Sequence, residues 1–312
     1  MNIVIFGCGN IANRVAQSCQ LVDELNLFGF ASKDIDKAIE YAKKYNVEHY
    51  GNYDDFLNDE SVDAIYITTF NQSHYELIKK SLEHNKHVIC EKPMVSSIYE
   101  NKESFELARK NNVLLMEALK SVFLPLNIKI KQLIDNNVIG ETKEIYASFM
   151  RAGCHPKDHW INEKGCGGAL KDLGSYCIGT MNYLMDKSAE LVSIETDEKN
   201  NKADTTAYVN LKYGDVKARA AVSNSIDGDM FLHITGSNGE IHADNFWKSG
   251  KGYYISDGRR YEIEEELISD FYYELKHFVY LVDNHILMSD IMSEKASENI
   301  LKITDYRKEK LL

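Results

Sequence analysis

Two short stretches carry side chains whose types and spacing could do chemistry. In Gly167-Gly168-Ala169-Leu170-Lys171-Asp172-Leu173-Gly174-Ser175-Tyr176-Cys177, read as one helix, Asp172 and Tyr176 stand four residues apart and so share a face. A carboxylate and a phenol aimed at one place make a proton-transfer pair. The plainer reading makes Asp172 a capping residue and Tyr176 a core aromatic, one of 19 tyrosines. In the second stretch, His87-Val88-Ile89-Cys90 reads as a buried strand running into Glu91-Lys92-Pro93. Pro93 fixes its own φ and restricts Lys92 toward extended geometry, which gives the ammonium a defined direction. A surface lysine in a turn is the plainer reading, and on Lys92 alone it would stand.

These groups need something to act with, and the first stretch of the chain supplies a candidate. Ile3-Val4-Ile5-Phe6 is a short β-branched and aromatic run, as a buried parallel strand requires. Gly7-Cys8-Gly9 follows, then Asn10 to Cys19, with Ile11, Ala12, Val15, Ala16 and Cys19 at helical spacing. Gly7 permits a tight turn, Gly9 lets the backbone approach a pyrophosphate, and Ala12 allows close helix–strand packing in place of a third glycine. The free N–H groups at the helix start, from Asn10 and Ile11 on, then face the phosphates. A lone GxGxxA is weak, but a strand before it and a helix after it are the context that supports dinucleotide binding.

The elements that must position these residues alternate. Leu25 to Ala31 reads as a second strand. A site for NAD places an acid near its end for the ribose 2′-hydroxyl. Here Ser32 and Lys33 stand there, which suits a 2′-phosphate and hence NADP, while Asp34 leaves NAD open. The plainer reading has Ser32 capping a helix over 36–45. Asp63 to Thr68 is a third strand, followed by the loop Thr69-Phe70-Asn71-Gln72-Ser73-His74 and a helix over 75–84. In an open parallel sheet ligands lie beyond the carboxyl ends of the strands, so this loop should line the cofactor. A helix over 97–110 and a fifth strand over 113–118 complete a doubly wound parallel sheet in residues 1–118.

Beyond residue 118 the pattern changes. A helix spans 125–136, with Leu126, Ile130, Leu133 and Ile134 as its apolar stripe. Strands then follow with little helix between them, over 143–152, 190–196, 203–213, 216–223, 231–236 and 240–246. Ala207, Val209 and Leu211 alternate with Tyr208, Asn210 and Lys212, the period of a half-covered sheet. Tyr213-Gly214-Asp215 and Gly236-Ser237-Asn238-Gly239 suit hairpins. Helices return over 265–283 and 294–308. The expectation is an α/β Rossmann domain at 1–118, then an α+β domain at 119–312 with a largely antiparallel open sheet.

Composition narrows the classes. The 312 residues suffice for two domains. A net charge of −12 argues against a nucleic-acid or anionic-membrane surface. No apolar run is long enough to span a bilayer, and no signal peptide is read at the start. Six cysteines are scattered without a framework (Cys8, Cys19, Cys90, Cys154, Cys166, Cys177), which fits reduced thiols in a cytoplasm.

Taken together, the GCGNIA turn, the TTFNQSH loop, CEKP and GGALKDLGSY resemble the Gfo/Idh/MocA oxidoreductases along nearly the whole chain. Ser32-Lys33 and the MEALKSVFLP stretch are nearest the branch holding dimeric dihydrodiol dehydrogenase and NADP-dependent xylose dehydrogenase. The resemblance implies Lys92 as the active-site lysine, with Asp172 and Tyr176 at the family's acid and its His-or-Tyr position. It implies that Thr69, Asn71, His74 and Glu91 line the nicotinamide side. It also implies a homodimer, or a dimer of dimers, built through the open sheet. The expected activity is hydride transfer between nicotinamide and a hydroxyl or carbonyl carbon of a sugar, polyol or small diol. An unperturbed phenol titrates near about 10, too high for a base near neutrality, and a cationic Lys92 close by would lower it.

The chain departs from the near branch after MEA, where Lys120 and Val122 replace an aromatic and an arginine. Substrate identity therefore does not carry over. Arg151, His155, His159 and Trp160, ahead of Asp172, are the pocket candidates. Cys154, His155 and His159 lack a convincing fourth ligand, so no metal is expected. The alternative class is a dinucleotide-binding regulator that has lost redox activity. Retention of Lys92, Asp172 and Tyr176 argues against it.

Overall fold

The computed structural model describes residues 1–153, 160–163, 167–197 and 202–305. The chain divides into two compact units, Met1–Ala118 with Phe271–Glu298, and Leu119–Asp270 with Asn299–Leu312.

The first unit begins with β1 (Asn2–Phe6), whose Ile3, Val4, Ile5 and Phe6 are fully buried. It continues with α1 (Asn10–Cys19), β2 (Asn26–Ala31), α2 (Ile35–Tyr45), β3 (His49–Gly51), α3 (Tyr53–Leu57) and β4 (Ala64–Ile67). Then come α4 (His74–Glu83), β5 (His87–Glu91), α5 (Ile98–Lys110) and β6 (Leu115–Ala118). All pairings are parallel, in the order β3-β2-β1-β4-β5-β6. The order reverses between β1 and β4, and that switch point opens a crevice at the carboxyl edge. The loops after β1, β4 and β5 all leave from this edge. Sequence reading counted five strands here. The sixth, β3, has exposed His49 and Tyr50 and no apolar run. It is held at the sheet's edge by pairing to β2.

The second unit holds α6 (Pro125–Asp135), β7 (Thr142–Met150), α7 (Ala169–Asp172), α8 (Gly174–Met185), β8 (Glu190–Thr196), β9 (Thr206–Tyr213) and β10 (Val216–Ser223). It adds β11 (Met230–Gly236), β12 (Gly239–Asp244), β13 (Lys251–Ser256) and β14 (Arg259–Glu264). The eight strands run β14-β13-β12-β11-β7-β10-β9-β8, antiparallel except for the β7–β10 pair. Ile145, Ala147 and Phe149 of β7 and Ala218, Ala220 and Val222 of β10 alternate into one core with α6 and α8 residues such as Leu126, Ile130, Cys177, Ile178 and Met181. The reading missed β13 and β14, whose residues are mostly exposed or half-buried. The Asp257-Gly258 pair between them, both at positive φ, is the hairpin signal that was there to be found.

One helix needs correction. Residues 265–271 are not helical, and α9 begins at Tyr272 (Tyr272–Asp283), because Glu265 N still pairs with Gly250 O at 2.8 Å beside β13. Residues 271–298 belong to the first compact unit. There Tyr66 Oη donates to Glu274 at 2.8 Å, Arg14 lies 4.8 Å over the Phe271 ring, and Arg109 pairs with Glu294 at 2.6 Å. Glu294–Thr304 forms α10. No helix of the described residues is long and apolar enough to cross a membrane.

Candidate active site

The glycine turn after β1 uses its two glycines differently. Gly7 sits at φ +100, and a Cβ there would lie 2.9 Å from both Thr69 N and Thr69 Cγ2. Backbone conformation and close approach both demand glycine. Gly9 is the cap of α1 at φ −114 and ψ −173, a conformation open to any residue, with no side-chain capping bond. A Cβ on Gly9 would meet nothing within 4 Å. The protein itself has no use for the missing side chain, so the space suits a group from outside. Helix geometry leaves the first-turn N–H groups, from Asn10 and Ile11 onward, without intrahelical partners, while Ala12 packs fully buried. An anion such as a pyrophosphate fits this cradle.

At the end of β2, Ser32 is buried, and its Oγ accepts from Asp34 N at 3.1 Å. Ser32 thus shapes the turn, while the cap of α2 is Asp34. Lys33 is exposed. Sequence reading missed Lys37, on the first turn of α2, whose Nζ lies 4.0 Å from Asp34. Its charge also reaches Cys8, whose thiol burial pushes up to about 12, so that thiol stays protonated. The signal was the spacing of three residues from Asp34.

The loops after β4 and β5 are tied together. Thr68 Oγ1 lies 3.1 Å from both Phe6 O and Gly7 O, and Ser73 donates to Thr69 Oγ1 at 2.9 Å. Asn71 opens the turn Asn71–Ser73. His74 is 1% exposed, with Nδ1 3.0 Å from Pro93 O and Nε2 2.9 Å from Thr69 O. Burial pushes its pKa down, against the carbonyls that favour the charged ring. Neither nitrogen is left for a ligand, so His74 staples the two loops rather than lining a pocket.

Beside it, Glu91 is buried and lies 3.1 Å from Tyr66 Oη, which also reaches Glu274. Lys92 is half-buried and precedes a cis bond to Pro93. Glu117, at 4% exposure, accepts from Met94 N at 3.0 Å. Burial raises its pKa, while Ser297, Met94 N–H and the charge of Lys92 oppose the rise. Tyr66 and Glu117 were not among the expected site residues.

In the second unit, the expected single helix around Asp172 and Tyr176 breaks at Leu173. Asp172 ends α7, and Tyr176 is the third residue of α8. Tyr176 N donates to Leu173 O at 3.1 Å, a tighter turn than α, while Leu173 itself keeps a right-handed helical backbone and Cys177 N reaches Leu173 O at 3.4 Å. Both side chains are half-buried. The Tyr176 ring lies 5.9 Å from Phe149, which stacks on Trp247 at 3.8 Å. Buried Asp204 fixes the preceding turn. Its Oδ2 accepts from Leu170 N at 2.8 Å, and a Cβ on Gly168 (φ +113) would lie 2.4 Å from its Oδ1.

Arg151 is exposed, and Trp160 opens a short 3-10 turn. His155 and His159, with Cys154 and Cys166, lie outside the described residues. Lys120 is 2% exposed and ion-paired with Asp270, while Val122 is buried. No group of three or more His, Cys, Asp or Glu that could hold a metal occurs among the described residues.

A doubly wound unit with an anion cradle at its switch point, on one chain with an antiparallel-sheet unit carrying an acid and a phenol, defines a two-part nucleotide-binding class. Residues 1–119 match the oxidoreductase family with an NAD-binding Rossmann fold, and residues 128–242 match the C-terminal domain of the same family. The chain belongs to the Gfo/Idh/MocA oxidoreductases. It is 28% identical to the trans-1,2-dihydrobenzene-1,2-diol dehydrogenase of Xenopus laevis, over 98% of this chain and 97% of that one. It is 26% identical to an NADP(+) scyllo-inositol 2-dehydrogenase of Bacillus subtilis, over 100% and 97%. The fold matches a 3-ketoreductase of Actinomadura kijaniata, crystallised with NADP and TDP-benzene, at a TM-score of 0.90 and 21% identity, over 99% and 97%.

Proposed function

We propose that this chain is an NADP-dependent dehydrogenase or reductase acting on a hydroxyl or carbonyl carbon of a sugar, polyol or small diol. The observation that carries the reading is the match along nearly the full length to dehydrogenases of a diol and of an inositol. NADP is favoured over NAD because Ser32, Lys33 and Lys37 gather at the end of β2, where a 2′-phosphate would need hydroxyl and cation. Gly9 and the first turn of α1 would hold the pyrophosphate.

A nicotinamide cofactor supplies hydride acceptance and donation when bound. The chain must position the carbon and handle the proton. Tyr176 takes the hydroxyl proton in oxidation and returns it in reduction. Lys92, as a cation, favours phenolate over phenol and stabilises a developing alkoxide. Asp172 orients the substrate hydroxyl or Lys92. Thr69, Asn71 and Glu91 shape the nicotinamide side, and His74 holds their loops in register. Arg151 and Trp160 border the substrate.

Two copies pair through the sheet face opposite the core, in a cytoplasmic enzyme. That face carries an aromatic row across four strands, with an arginine of a fifth strand at its end. Tyr146 and Phe231 meet edge-on at 5.0 Å, His242 lies 5.5 Å from Phe231 and 5.4 Å from Tyr253, and Arg260 sits 3.7 Å over Tyr253.

The test is turnover of a polyol and aldose panel with NADP, for the natural chain and Lys92→Ala. The variant should lose at least about a hundredfold in kcat, the scale of one lost acid–base or charge-stabilising group, while its NADPH affinity stays. Full activity in Lys92→Ala would overturn the assignment. Binding without turnover of any substrate would favour the regulator.

A further inference from the structure

The carbonyl of Gly9 is gripped from outside its own helix. Tyr41, on α2, donates its phenol proton to Gly9 O at 2.8 Å. One turn on, Tyr45 Oη lies 3.0 Å from Asn13 O and 2.9 Å from Asn13 Oδ1. The helical bond from Asn13 N to Gly9 O is long, at 3.4 Å. The phenol is therefore the shorter of the two bonds on that oxygen.

The grip is rigid. Tyr41 and Tyr45 are 8% and 7% exposed. Both pack on Phe30, with ring centroids at 5.5 and 5.6 Å. Lys44 lies over both rings at 5.9 and 5.5 Å and donates to Asn13 Oδ1 at 2.7 Å.

Peptide planarity turns this into a statement about the cradle. Gly9 C=O and Asn10 N–H belong to one flat unit and point in opposite directions. Fixing the oxygen fixes the N–H. That N–H is the first of α1, without an intrahelical partner, at the uncapped end beside the open space at Gly9.

We propose that Tyr41 is a positioning residue for dinucleotide binding: by holding Gly9 O it aims the Asn10 N–H at the pyrophosphate. The proposal rests on the dinucleotide reading above. It makes α2 serve both parts of the cofactor. Its start carries the groups for the 2′ position, and its middle aligns the turn for the phosphates.

The test is Tyr41→Phe, which keeps the ring in its cluster and removes one oxygen. NADPH, NADH and adenosine 2′-monophosphate are each titrated by fluorescence or competition, with a circular dichroism melt alongside. NADPH and NADH should weaken by the same factor, about fivefold to tenfold, the size of one misdirected hydrogen bond. Adenosine 2′-monophosphate, which lacks the pyrophosphate, should bind as before. Unchanged dinucleotide affinities would overturn the proposal, whatever the melt shows. So would a loss confined to NADPH, or an equal loss for all three ligands. If the natural chain binds no dinucleotide, the cofactor reading itself has failed and takes the proposal with it.

Discussion

Replacing Gly9 by alanine is expected to spare the fold and damage dinucleotide binding, whereas replacing Gly7 should do its damage to the fold. At Gly9 the backbone is at φ −114 and the new Cβ meets nothing within 4 Å. Alanine there removes unfolded-state freedom without strain, a gain of about 0.4–1 kcal/mol. The same Cβ would occupy the space offered to the pyrophosphate. Pushing a phosphate off one N–H forfeits a charge-assisted bond of about 1.5–3 kcal/mol, roughly 10- to 100-fold in affinity. At Gly7, φ +100 costs a side chain about 1–3 kcal/mol. The 2.9 Å contact to Thr69 N adds to that, because backbone cannot rotate away. Gly7→Ala should therefore melt about 2–12 °C lower, and Gly9→Ala within about 4 °C of the natural chain or above it. Thermal melts by circular dichroism and NADPH titrations by fluorescence measure both. Natural NADPH affinity in Gly9→Ala would refute the argument, as would a melt of Gly7→Ala at the natural temperature.

Two further outcomes concern stability. Lys120→Ala strips the buried ammonium from half-buried Asp270 and should cost up to about 3 kcal/mol in urea unfolding, with Lys120→Met plus Asp270→Leu recovering most of it. A midpoint unchanged in Lys120→Ala would show that the pair contributes nothing. Acid should destabilise the chain, because burial lowers the pKa of His74, His87, His233 and His277. Their contribution is fully present above the unfolded value of about 6.5. It is lost as pH falls through that value toward the folded ones, since the unfolded chain takes up protons that the folded rings refuse. Melting temperature followed from about pH 8 to about pH 5 should fall, and His74→Gln should flatten the fall. An unchanged slope in His74→Gln would mean that His74 is not part of it.

Much of the candidate site was legible because its signals are local. The GCGNIA turn is a strand, two glycines and a helix within one short stretch, and each piece has its own steric reason. The position of Lys92 at the carboxyl end of a strand needed only the apolar run before it. Asp172 and Tyr176 were placed by counting, and counting assumed a continuous helix. The start of α7 is held by Asp204, which binds Leu170 N from 34 residues away, beyond any local count. Lys37 was within reach of pattern reading. Tyr66 was not, because its partner Glu274 is 208 residues distant.

The sequence by itself determined the two kinds of sheet. Short, β-branched apolar runs bounded by turn residues read as strands covered on both faces, and alternating ones as strands covered on one. It also determined where the chain changes from one kind to the other. The tertiary structure decided what edges and contacts decide. The edge strands β3 and β14, and β13 beside the latter, exist because neighbours complete their ladders, not because their own residues are apolar. Phe271–Glu298 joins the first unit because Glu274 and Glu294 find their partners on Tyr66 and Arg109. His74 read as a candidate site residue until two carbonyls occupied it, and Lys120, read only as a departure beside the substrate stretch, is taken up by a distant carboxylate. A polar side chain's role is set by what it meets in the fold, and those partners are separated from it by stretches of chain that no local pattern spans.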